Sequence, residues 1–152
     1  VMYHGGVRSE ALADDGNLDL FLIVNSAMEI HARFEAACGG DAVLNLYENP
    51  FSNTNSLGTE ITPRNRHREI GDVSDAGLYS APWTDANSLG TNLTPGAIIP
   101  GGATGNSPGG QLQDGFFEWD LDKGNQYLFR LTNRGGSAKI ASAELNFYER
   151  AE

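Results

Sequence analysis

MEIHARFEA, residues 28–36, decides the fold class. Met28, Ile30, Ala32, Phe34 and Ala36 alternate with Glu29, His31, Arg33 and Glu35. A period of two sends the first set to one face and the second to the other, as in a strand with one side in the core and one in water. A helix would gather Ile30 and Phe34 with Ala27 and Cys38, but it would run into Gly39-Gly40, and the strict alternation matches a strand better.

Upstream, Asp19 to Val24 (DLFLIV) is a short unbroken apolar run, the pattern of a strand covered on both faces. Downstream, past Gly39-Gly40-Asp41, residues 41–48 (DAVLNLYE) alternate again and are expected to return along residues 28–36 as a hairpin, which Asn49-Pro50 closes. Near the end of the chain, residues 116–121 (FFEWDL), 126–132 (QYLFRLT) and 138–149 (AKIASAELNFYE) read as three strands. Their connections, DKGN at 122–125 and NRGGS at 133–137, consist of residues that accept positive φ, which predicts a three-stranded antiparallel meander.

Between these regular parts, residues 51–113 are rich in Asn, Ser, Thr, Gly and Pro, with apolar islands at Leu78-Tyr79, Trp83 and Ile98-Ile99. Short strands and long loops are expected there. GATGNSPGGQ, residues 102–111, reads as a surface loop and not a phosphate loop, because it has neither the lysine nor the following helix pattern. About eight strands and no helical periodicity imply two packed antiparallel sheets, an all-β, jelly-roll-like sandwich. NSLGTEITP at 55–63 recurs as NSLGTNLTP at 87–95. One echo is too little for a solenoid; both copies read as turn-then-strand units, with Leu57/Leu89 and Ile61/Leu93 inward, in equivalent positions of the two sheets.

A chain of 152 residues fits one domain, here residues 18–152, preceded by an extended arm at residues 1–17 that lacks a core pattern. Nineteen glycines suit short strands and many turns and oppose long helices. Twenty acidic against ten basic residues give a charge of −10, which opposes direct contact with nucleic acid. No apolar run approaches the roughly 18 residues needed to span a bilayer, and the N-terminal residues lack the charged segment and apolar core of a secretory signal. Cys38 is the sole cysteine, so an intrachain disulfide is excluded, and its reading is a small core residue at a strand end.

The residues that could carry chemistry do not assemble a signature. His4, His31 and His67 form no His-x-His or His-x₃-His pair, and His31 falls on the polar side of its strand. DLDKGN, residues 120–125, has Asp120, Asp122 and Asn125 but lacks the third oxygen before the glycine and the closing Glu of a calcium loop, so it reads as a turn. There is no Gly-x-Ser-x-Gly elbow, no local cysteine-protease signature and no acidic pair that stands out. The expectation is a non-enzymatic binding protein without catalytic, cofactor or metal residues. Two segments are candidates for binding. Arg64, Arg66 and Arg68, with His67 among them, put three of the ten basic residues within five positions, a contact for an acidic partner surface or a neighbouring copy. The arm offers Met2, Tyr3, His4 and Arg8, with Tyr3 as an aromatic anchor; a frayed terminus is the alternative.

Met2-Tyr3-His4, NLDLFLIV (17–24), GGDAVLNLYENP (39–50), AIIPGG (97–102), NSPGG (106–110) and YLFRLTNRGGSAKIASAELNFYE (127–149) together resemble the head decoration, or cement, proteins of tailed bacteriophages. The resemblance runs from Met2 to Glu149 and is one of overall pattern. It implies a jelly-roll-like homotrimer that binds the major capsid protein on the capsid exterior near local three-fold axes and stabilises the expanded shell. It further implies a virion location after assembly in the host cytoplasm, with residues 2–17 as an arm across the shell. The basic cluster has no counterpart in that resemblance and rests on its charge. The competing expectation is a carbohydrate- or receptor-binding jelly-roll module of a tail or fibre, for which Trp83, Trp119 and Tyr79 would share a groove.

Overall fold

The computed structural model describes residues 1–25, 27–50, 58–69, 71–80, 89–94, 96–100 and 118–151. Among them every regular element is a strand: β1 (Met2–Leu12), β2 (Asn17–Ile23), β3 (Met28–Cys38), β4 (Ala42–Glu48), β5 (Thr59–Glu60), β6 (Arg64–Asn65), β7 (Gly77–Ser80), β8 (Thr91–Asn92), β9 (Ala97–Ile99), β10 (Glu118–Leu121), β11 (Gln126–Asn133) and β12 (Lys139–Ala151). A front sheet runs β10-β3-β12-β1-β6, and a back sheet runs β5-β7-β2-β11-β4-β8 with β9 also on β4. All pairings are antiparallel, so the fold is an all-β sandwich, as the alternation at residues 28–36 predicts.

The inward positions of each strand follow the period of two. Ile30, Ala32, Phe34, Ala36 and Cys38 of β3 and Ala141, Ala143, Leu145 and Phe147 of β12 are buried against Leu18, Leu20 and Leu22 of β2, Leu44 and Leu46 of β4 and Phe129 and Leu131 of β11. Phe34 and Phe129 meet across the layers at 4.9 Å between ring centres. DLFLIV is covered on both faces, as its unbroken apolarity predicts: Phe21 points out of the back sheet and is buried there with Leu128 beneath Ile23, Tyr47, Tyr79 and Leu89. On the same outer side Arg130 forks onto Asp19 with bonds of 2.7 and 2.8 Å, so the buried carboxylate is matched by a guanidinium. Cys38 is buried, as expected.

Four expectations are corrected. Residues 28–36 and 41–48 do not form a hairpin: β3 lies in the front sheet and β4 in the back. Nor is the C-terminal triplet a meander, because β10 and β12 are in the front sheet and β11 is in the back. In each case both strands turn an apolar face to one core from opposite sides, so the short glycine-bearing connection crosses the sandwich instead of joining neighbours. The arm at residues 1–17 does not exist as such. Met2–Leu12 is β1, paired with β12 from Met2↔Tyr148 to Leu12↔Lys139, and Asn17 already belongs to β2. Finally, the repeated segments do not occupy equivalent places in two sheets. β5 and β8 are the opposite edges of the back sheet alone, where Ile61 N–H donates to Leu78 C=O and Leu93 N–H donates to Leu46 C=O. Ile61 and Leu93 pack on the core, Leu89 lies in the outer cluster, and Leu57 lies outside the described residues, as do Trp83 and the loop at 102–111.

Candidate functional site

Asn65 brings the two candidate segments together. It is buried, its Oδ1 accepts the His67 N–H at 2.8 Å, and its Nδ2 donates to Asp72 C=O, which fixes residues 64–68 as a turn. β6 then lies along β1 with Asn65 opposite Tyr3 and Arg64 opposite His4, and Arg66 N–H donates to Met2 C=O at 2.8 Å. With Asn65 inward, the period of two sends Arg64 and Arg66 outward, onto the face that carries Met2 and His4.

That outer face of the front sheet is polar and ordered in rows. Asp120, His31, Tyr148 and Met2 stand side by side on β10, β3, β12 and β1, with Arg66 beyond Met2. Glu118, Arg33, Asn146, His4 and Arg64 form the next row. In the third, Glu35 and Glu144 face each other directly, with Gly6 beyond. Arg33 reaches Glu35 at 3.1 Å, His4 bonds Asn146 at 3.2 Å, and Arg66 approaches Asn146 Oδ1 at 3.5 Å and Met2 Sδ at 3.2 Å. Open depressions of ≈ 620, ≈ 480 and ≈ 210 Å³ overlap along the face, the middle one lined by His4, Glu35, Arg64, Arg66, Arg68, Glu144 and Asn146.

At the β10 edge His31 is held between two carboxylates, Nδ1 to Asp120 and Nε2 to Glu118, both at 2.7 Å. These hydrogen bonds, Asp120 first, raise the imidazole pKa against the smaller opposing effect of burial. The bond from His31 lowers the Asp120 carboxyl in return. Because the ring spends one nitrogen on each carboxylate, the two oxygens lie on opposite sides of it and enclose no common metal-binding centre; among the described residues no cluster suited to a metal ion occurs.

Of the candidate residues, Met2, His4, Arg64, Arg66 and Arg68 converge on one face, and His67 is exposed at its rim. Arg8 is on the same face, exposed and paired with Glu10 at 2.9 Å, a contact worth less than about 1 kcal/mol. Tyr3 is not an exposed anchor. It is 4% exposed and stacks on Phe147 at 5.4 Å, and burial, then the charges of Glu149, Asp72 and Asp75, raise its pKa. The residues that sequence reading missed are Glu118, Asp120, Glu35, Glu144 and Asn146. Each sits at a polar position of an alternating strand, which was readable, but which strands lie beside one another was not.

Trp119 and Tyr79 do not share a groove, and Trp83 lies outside the described residues. Trp119 turns inward from the front sheet and buries an indole N–H that has no partner among the described residues, whereas Tyr79 lies on the outer side of the back sheet. No helix among the described residues is long and apolar enough to cross a membrane. No protein-family model matches the chain, and neither a curated protein nor a solved structure does.

Proposed function

We propose that this chain is a structural virion protein of a tailed bacteriophage, a homotrimer that docks on the major capsid protein at the capsid exterior and stabilises the expanded shell. The observation that carries the reading is the convergence of β1 and the 64–68 turn on one polar face of the front sheet, which turns two separate candidate segments into one surface. The strand order β10-β3-β12-β1 against β7-β2-β11-β4-β9, with successive long strands changing sheets, fits the wrapped arrangement of a jelly roll. A protein that binds only the expanded lattice stabilises it by mass action, and symmetry multiplies weak contacts.

The test is to mix the purified chain with unexpanded and expanded shells of the phage that encodes it, and to measure co-sedimentation and shell melting. Binding confined to expanded shells, with raised melting, is the expected result. Equal binding to both forms, or none, rejects the proposal. Reversing the charges at the centre of the face, Glu35→Arg with Glu144→Arg, is expected to weaken shell binding without unfolding the chain.

A further inference from the structure

The front sheet carries opposite charges at its two edges, in matched rows. Arg66 ends the row that begins with Asp120, and Arg64 ends the row that begins with Glu118. Both pairs are two residues apart in sequence, Glu118 and Asp120 on β10 and Arg64 and Arg66 along β1, where the Arg66 N–H bonds Met2 C=O one residue past the end of β6. No carboxylate among the described residues pairs with Arg64 or Arg66. At the other edge Glu118 and Asp120, with side chains 47% and 76% exposed, share a single imidazole. Each uses one oxygen on His31 and keeps its second for another donor.

Within one molecule these charges do not pair. The backbones of β6 and β10 are four strand spacings apart, about 19 Å. No ion pair links Arg64 or Arg66 to Glu118 or Asp120, while Arg66, which folds back over the sheet to Asn146, has to swing outward to reach a neighbour. The alternation of directions across β10-β3-β12-β1-β6 also makes β6 and β10 run the same way. A second copy set beside the first in the same orientation therefore brings Arg64 to Glu118 and Arg66 to Asp120 together.

We infer that the basic edge of the front sheet receives the acidic edge of another copy of this chain, Arg64 against Glu118 and Arg66 against Asp120, in a head-to-tail contact. Repeated by rotation, such a contact closes into a ring. Guanidinium forks on carboxylates give this contact both orientation and register. The inference deepens the proposed function by assigning the arginines to self-assembly and the middle of the face to the shell. It rests on that reading for its purpose, while its test needs no shell.

The experiment is sedimentation of the isolated chain across a concentration series at low and high salt. The wild type is expected to assemble, more weakly as salt rises. Arg64→Glu with Arg66→Glu, and separately Glu118→Arg with Asp120→Arg, are each expected to weaken assembly roughly 100-fold through like-charge contacts. Combining all four substitutions in one chain restores complementary edges at every contact and is expected to restore assembly, which also shows that the substituted edges fold. A mixture of the two variants cannot close a three-membered ring, because one like-charge contact always remains. A monomeric wild type, variants that assemble like wild type, or a folded chain with all four substitutions that stays monomeric would each overturn the inference. If assembly behaves as expected but the assembled protein ignores expanded shells, the capsid reading fails and this contact stands.

Discussion

Asn133 is fully buried at the end of β11 and uses its whole amide. Its Nδ2 donates to the carbonyls of Leu12, Ala13 and Ser137, its Oδ1 accepts the Gly135 N–H at 2.9 Å, and its backbone bonds Asp15 and Gly16. One side chain thus ties the end of β1 to the β11–β12 connection. Asn133→Ala leaves several buried carbonyls without a donor and is expected to destabilise the fold by about 2–4 kcal/mol. Urea unfolding measures this, and a loss below about 1 kcal/mol would mean that water replaces the amide. At His31 the consequence is a pH dependence. A folded-state pKa raised above the ordinary imidazole value contributes stability that is complete below about pH 6.5 and fades as pH rises through the folded value. The lowered Asp120 carboxyl contributes above about pH 4 and fades as pH falls below it. The β10–β3 pairing is therefore expected to be tightest between about pH 4 and 6.5. Amide exchange at Trp119 and Leu121, corrected for the intrinsic rate, should quicken above that window in wild type and not in His31→Gln. Equal protection at pH 5.5 and 8.5 would refute the clamp.

β1 shows how an element escapes a pattern search. Its inward positions begin Tyr3, Gly5 and Val7, and the missing side chain at Gly5 breaks the apolar alternation. The gap is filled from the other sheet: a Cβ at Gly5 would lie 2.4 Å from Leu78 Cδ2. Leu78 is itself fully buried. Gly5→Ala is expected to destabilise by about 1–3 kcal/mol through overpacking. Leu78→Ala in the same chain should relieve part of that loss, so the pair should cost less than the sum of the single changes in a double-mutant cycle. Strict additivity would show that the two residues do not press on each other. The repeat has an element-scale meaning too. Gly58 and Gly90 both take positive φ and deliver β5 and β8 to the two edges of the back sheet, so one short motif finishes both sides.

At the scale of the molecule, β1 lies between β12 and β6 and contributes Tyr3 and Leu12 to the core. A detachable arm could be removed with loss of docking alone, whereas deletion of residues 1–12 is expected to remove the cooperative unfolding transition itself. Circular dichroism melting separates the two outcomes, and a truncated chain that melts like wild type would contradict the role given to β1. Alternation at residues 28–36, the two-sided apolarity of DLFLIV and the regular C-terminal strands were enough to determine an all-β sandwich, because burial on a pleated strand imposes a period of two. The arginine cluster stood out as a candidate contact through its contrast with a charge of −10. The path between sheets was not legible, since a turn that crosses the sandwich and a turn that closes a hairpin use the same residues. Nor was the union of β1 with residues 64–68, or the placing of Glu118 and Asp120 on His31. Those pairings join positions 60 to 90 residues apart, and only the packing of both sheets on one core decides which strand edges meet.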